Sequence, residues 1–177
     1  MKNIKYKIRY FFEGVQNIIK WIPIIYHDKD WDHTFIYKIL QFKLTQQSKY
    51  IGGHNRHLSA IRDSNRMDLI AKLLELNSNE FYDTEYMDYH ESEMVWSEVE
   101  GKPNLLKLDI LEFSNNFDEY FKKYPNMYRR VLKMDEPIFK LDYTKKTIAM
   151  NIAYYNQRRC HKLIFKLLER NIEKFWD

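Results

Sequence analysis

Apolar residues recur at steps of three and four along most of the chain. Between residues 3 and 21 they fall at Ile4, Ile8, Phe11, Phe12, Val15, Ile18 and Ile19, with basic residues between them. That spacing predicts an amphipathic helix. Pro23 lacks a backbone donor and disfavours helical geometry at Ile22, so this helix is predicted to end near Trp21. Residues 31–50 place Trp31, Phe35, Ile36, Ile39, Leu40 and Leu44 on one face of a second helix, which Gly52-Gly53 should terminate. A third helix is predicted from about Asn55 to Leu76, through Leu58, Ile61, Ile70, Leu73 and Leu74. Asn77-Ser78-Asn79 should stop it.

The centre of the chain has weaker periodicity. Tyr82 to Val99 carries helix-compatible acids and few apolar positions, and fits more than one element. The break at Gly101-Lys102-Pro103-Asn104 is clear. Leu105 to Phe113 partly alternates, as a short strand or a helical turn would. Asp118 to Met134 predicts a short helix interrupted near Pro125. The last helix places Ile148, Ile152, Tyr155, Leu163, Ile164, Leu167, Leu168, Ile172 and Phe175 on one side. The predicted fold class is mainly all-α: one domain over residues 1–177, a bundle of four to five long helices, and one short β element near 105–113.

Composition narrows the class. The chain is 45% apolar and 31% charged, a globular balance rather than a disordered one. Its four glycines and four prolines are too few for a sandwich or barrel with many tight turns. A single cysteine, Cys160, excludes an intrachain disulfide framework and fits a reducing compartment. No apolar run reaches the ~20 residues that span a bilayer, and Lys and Arg interrupt the N-terminal apolar residues as they would not in a signal peptide. No membrane partner is expected. Charge is laid out in blocks. Residues 78–100 carry eight carboxylates and no Lys or Arg, whereas both ends are basic, for a net charge of +4. The acidic block predicts a solvated face. Together with the modest net charge, it disfavours a track along duplex nucleic acid and leaves at most a weak nucleic-acid-binding module.

The segment Trp21 to Leu44 crowds two histidines and three aspartates between apolar runs, and invites several chemistries. Asp28, Asp30 and Asp32 open like a calcium loop. The glycine and glutamate such a loop needs at its sixth and twelfth positions are His33 and Ile39 here, which excludes it. His27-Asp28 matches the adjacent pair of a helical metal-dependent phosphohydrolase, with Asp32 as a further ligand, but no histidine precedes it. Zinc would need ligands from His54, His57, Cys160 and His161, in no recognised spacing. The favoured reading is structural. The aspartates cap the second helix, Trp31 anchors the turn against the core, and Asp32, on the apolar face, is the one expected to point inward and pair with a cation from another helix. No metal and no cofactor is predicted.

An anionic ligand has better candidates. Two glycines precede a helix whose first turn holds Asn55, Arg56 and His57, with Arg62 and Arg66 following at four-residue spacing. Free N–H groups, a positive helix end and a guanidinium make a phosphate site. Arg129 and Arg130 adjoin Tyr124 and Tyr128. Arg158 and Arg159 adjoin Tyr154 and Tyr155. Tyrosine beside arginine suits base stacking with phosphate pairing, and equally the edge of a tyrosine-rich core.

The stretch "WIPIIYHDKDWD…YKILQFKL" resembles the N-terminal part of a group of small, uncharacterised tailed-phage proteins. Those proteins have a Trp-x-Pro-x-Ile run, then Asp-Arg-Asp-Trp-Asp, then a helix with Lys-Leu near its end, and commonly finish in Trp-Trp-Asp. Lys29 stands in place of their arginine, and this chain finishes Phe175-Trp176-Asp177. Val95-Trp96-Ser97-Glu98 loosely matches their acidic segment. The resemblance is specific at the two ends of the chain and weak between Leu76 and Tyr143. It implies a phage origin, and with it the cytoplasm of an infected bacterium and a role in host takeover or counter-defence. It carries over no activity, cofactor or catalytic residue. Since no catalytic constellation is complete, the expected function is that of a non-catalytic binding protein. Its partner would be a host protein or an anionic signalling nucleotide, bound at Arg56, His57, Arg62, Arg129, Arg158 and Tyr155, with homo-oligomers allowed. Trp31, Asp32 and Trp176 are the expected structural residues.

Overall fold

A computed structural model describes residues 2–26, 28–29, 31–54, 57–140 and 144–175. It divides into two compact units, one formed by Met1–Ser78 with Leu167–Asp177 and the other by Asn79–Lys166.

The first unit contains α1 (Lys2–Ile25), α2 (Thr34–His54) and α3 (Ala60–Ser78), together with the chain's C-terminal segment. Pro23 does not end α1. It sits in the last turn, where its missing donor costs one hydrogen bond, and Tyr26 N still donates to Ile22 O at 2.9 Å. Trp21 packs edge-on against Phe42 of α2, with ring centroids 4.7 Å apart, and so holds that turn in place. Gly52-Gly53 does not end α2 either; the helix runs on to His54. Gly52 is instead a point of close approach, because a Cβ there would lie 2.6 Å from Ser64 Oγ on α3. Ser48 and Ser64 interlock at the same crossing, with their hydroxyls 2.9 Å apart and each bonded to the other's carbonyl at 3.2 Å. α2 and α3 thus form a close-packed helical hairpin whose contact is lined by small and polar residues. Tyr37, Leu44, Ile51, Met67, Ile70 and Leu74 are buried. Phe175 is buried too, in the short 3₁₀ turn Glu173–Phe175, and Gln47 Nε2 donates to its carbonyl at 3.4 Å.

The second unit is built differently. A short α4 (Phe81–Thr84) and a 3₁₀ turn (Glu85–Tyr89) lead into β1 (His90–Val99), which pairs antiparallel with β2 (Lys102–Asn115). The segment of uncertain periodicity, Tyr82 to Val99, is therefore helical turns up to Tyr89 and then one arm of a long hairpin, and the short β element expected near 105–113 lies in the other arm. Gly101, at φ +75°, makes the turn. Two short helices follow, α5 (Phe117–Lys123) and α6 (Pro125–Val131), divided at Pro125 as predicted. They pack with the start of α7 (Lys145–Asn171) into a core of Phe117, Tyr120, Phe121, Val131, Ile148 and Ile152. Asn151, buried within α7, pins the backbone of Phe139 from both sides, accepting from its N–H at 3.2 Å and donating to its carbonyl at 2.9 Å. The predicted helical character holds. A bundle of four to five long helices does not describe this unit, in which short helices and a hairpin flank one long helix. No described helix is long and apolar enough to cross a membrane.

Candidate functional site

Asp32 caps α2. Its Oδ1 accepts from Thr34 N at 2.9 Å and from Thr34 Oγ1 at 2.6 Å. These bonds hold the Asp32 carboxyl below the usual carboxylate range, with the charge of Lys38 adding to the effect. The inward pairing considered for Asp32 reduces to Lys38 at 3.8 Å on the same helix, half exposed. Trp31 does not anchor the turn in the core: it is 78% exposed, with Lys29 Nζ 5.2 Å from the ring centroid. His27, Asp30 and Trp176 lie outside the described residues. Among the described residues, no three His, Cys, Asp or Glu side chains gather around a metal position.

The predicted phosphate turn has its own anion. Asp63, in the first turn of α3, is buried at 1% exposure and draws the nearby donors onto itself. Ser59 Oγ donates to it at 2.7 Å, His57 Nε2 lies at 3.2 Å, and Arg62 Nε and Arg66 both donate at 3.3 Å. Withdrawal from water pushes the Asp63 carboxyl up, but the bonds from Ser59, His57 and Arg62 and the charge of Arg62 outweigh it and hold it low. The carboxylate occupies the electrostatic position a phosphate would take. Arg56 lies outside the described residues. Sequence reading missed Asp63 because an acid in the first turn of a helix is ordinary capping chemistry.

The tyrosine–arginine candidates lie in the second unit. Arg129 is engaged on its own helix, by Pro125 O at 3.3 Å and Asn126 Oδ1 at 2.8 Å. Arg158 lies over Tyr154, its carbon 5.5 Å from the ring centroid, and donates to the Tyr154 hydroxyl at 3.0 Å. Tyr155 stands edge-on to Tyr154 and packs against the core. Tyr154 also borders a hollow of about 240 Å³, with Asp83, Tyr86, Phe139, Met150 and Ala153. Burial pushes the Asp83 carboxyl above the usual range, and Glu80 adds to it.

The acidic block is not a uniform solvated face. Glu85 is buried, pairs with Lys123, and accepts the Tyr124 hydroxyl at 2.5 Å. Burial, followed by that bond to Glu85, pushes the Tyr124 phenol up. The hydroxyl of fully buried Tyr120 has no hydrogen-bond partner among the described residues. The pairing of Glu85 with Lys123 spans 38 positions, which no local pattern reveals.

A departure from a closed surface is the hairpin. Its register pairs Met94 with Ile110, Trp96 with Leu108, and Glu98 with Leu106. Alternation puts these on one face of the ribbon, and Met94, Trp96, Leu106, Leu108 and Ile110 are 67, 61, 61, 40 and 51% exposed. The opposite face mixes Glu93, Ser97, Lys107 and Asp109 with Leu111 and Phe113. The ribbon is two strands wide, and neither outer edge pairs with a further strand among the described residues. A two-stranded ribbon is marginal in water without a cover for its apolar face. Exposed apolar patches of this kind mark interaction surfaces. In comparisons with known proteins, no family model, no curated protein and no solved structure gives a significant match to this chain.

Proposed function

We propose that this chain is a non-catalytic binding protein whose partner is another protein, held on the apolar face of the β1–β2 hairpin. One observation carries the reading: five large apolar side chains exposed together on one face of a ribbon that cannot stabilise itself. Glu98 shares that face beside Leu106, and Glu91 and Glu100 lie at the two ends of β1, so the complementary surface is apolar at its centre and basic at its rim. Docking would cover the Trp96–Leu108 pair, and either open edge can add a strand of the partner's backbone. The resemblance to tailed-phage proteins supports a host factor as that partner, within the infected cell.

The test is co-purification from a host culture using the wild-type chain beside a Trp96→Glu, Leu108→Glu variant. The reading predicts a partner at fixed stoichiometry with wild type and its loss with the variant, while circular dichroism stays the same. Recovery of the same partner by both chains, or of none by either, would contradict it.

A second reading rests on the Tyr154–Arg158 pair beside the 240 Å³ hollow. A ring with a guanidinium over it offers stacking for a base and charge for a phosphate. On that reading the ligand is an anionic nucleotide, and calorimetry against a nucleotide panel should show binding that Arg158→Ala abolishes. The metal-phosphohydrolase alternative at His27, Asp28 and Asp32 gains no support, since Asp32 Oδ1 is committed to the cap.

A further inference from the structure

α1 carries a regular repeat that its own unit does not use. Its apolar residues fall at 4, 8, 11, 15, 18, 22 and 25, alternating steps of four and three without a break. This is a heptad seam: β-branched Ile8, Val15 and Ile22 occupy the a positions, and Ile4, Phe11, Ile18 and Ile25 the d positions. Phe12 and Ile19 widen it on one side. A surface helix that packed this seam on its own domain would bury it. Here the seam faces away: every one of these side chains is open to solvent, from 36% for Val15 to 67% for Phe11. The contact with α2 uses Trp21, Pro23 and Ile24, which border the seam and are not part of it. Trp21 packs on Phe42, and Pro23 and Ile24 border a hollow lined by Phe35 and Phe42.

We infer that α1 is an assembly helix, whose seam is covered by the α1 seams of further copies of this chain. Four observations favour this occupant. A sustained period of 3.5 is what helix-on-helix supercoiling requires, whereas a helix lying on a lipid surface needs only a broad apolar arc. The positions flanking the seam beyond its first turn are Phe12, Gly14, Ile19 and Trp21, the last turned onto Phe42 of α2, and none is charged, so parallel copies meet little like-charge repulsion there. Of the five basic residues of the helix, only Lys5 and Lys7 flank the seam, both in its first turn, and Arg9 is already paired with Glu13 at 2.7 Å. The seam and its flank expose roughly 900 Å² per copy, close to the ~800 Å² per partner of a stable interface.

The side chains also indicate stoichiometry. Ile at both a and d, with apolar residues flanking, favours bundles of three or four helices over a two-stranded coil. Because α2 meets α1 through Trp21, Pro23 and Ile24 and not through the seam residues themselves, assembly on the seam keeps the fold of the unit. The inference is independent of what the hairpin binds.

Light scattering on the eluted full-length chain tests it. A single copy has a mass of 21.9 kDa. Wild type should elute as a trimer or tetramer across the micromolar range. An Ile8→Lys, Val15→Lys variant should elute as one copy with the melting of its other helices preserved. An Asn17→Ala variant, on the polar side of α1, should assemble like wild type. Wild type at the mass of one copy would overturn the inference. So would a seam variant that still assembles, since that places the contact elsewhere. If the single-copy protein instead co-sediments with phosphatidylglycerol vesicles, and the seam variant does not, the occupant is lipid and the inference is wrong.

Discussion

Asp63 shows how a single buried acid organises a helix start. Ser59, His57, Arg62 and Arg66 converge on it. Asp63→Ala should cost about 2 kcal/mol, since Arg62 and Arg66 are half exposed and can return to water. Chemical denaturation reads this directly. The low carboxyl value also fixes the pH dependence. The Asp63 contribution is present above the unfolded value of ~3.9 and is lost as pH falls through the lower folded one, so Asp63→Ala should flatten the acid limb of the stability profile. At the start of α2, Asp32→Ala should lower the melting temperature and Asp28→Ala should not, because only Asp32 is shown bonding the Thr34 N–H and hydroxyl. Equal melting of the two variants would remove the special place given to Asp32.

At the scale of elements, glycine is the instructive case. Gly52-Gly53 looks in sequence like a helix terminator, yet Gly52 exists for the approach of α3. Gly52→Ala should destabilise the α2–α3 hairpin by about 1–3 kcal/mol through overpacking. Ser64→Gly in the same chain should recover part of that loss, and a thermal melt of the two variants decides it. The helices themselves were legible because their spacing is local: α1, α2, α3, the break at Pro125 and α7 all follow from three- and four-residue steps and breakers. Pro23 was misjudged because a proline in a final turn forfeits only one bond. The hairpin was hidden for a different reason. β1 sets one apolar run, Met94-Val95-Trp96, between acids and serines and leaves its apolar side uncovered, so it lacks the alternating buried-face pattern that identifies a strand. The Glu85–Lys123 pair and the Asp63 cluster were illegible because they depend on which distant or ordinary polar residues burial brings together.

At the scale of the whole molecule, two compact units each present a large uncovered apolar element: α1 in the first and the β1–β2 hairpin in the second. The interior of the first unit closes on the C-terminal segment, where Phe175 is 1% exposed and its carbonyl receives Gln47. Phe175→Ala should cost about 3–5 kcal/mol through the cavity it leaves, seen as a lowered denaturation midpoint. An unchanged midpoint would show that the segment only rests on the surface. A chain with closed interiors and open working surfaces suits a protein whose task is to hold another molecule.

The most direct test of that task is site-specific photo-crosslinking in host cells, with the reactive residue placed at Trp96 or, on the opposite face of the same strand, at Ser97. The account predicts one discrete protein adduct from position 96 and little or none from position 97. Equal adducts from both positions, or none from position 96, would contradict the claim that the apolar face of the hairpin is where this protein meets its partner.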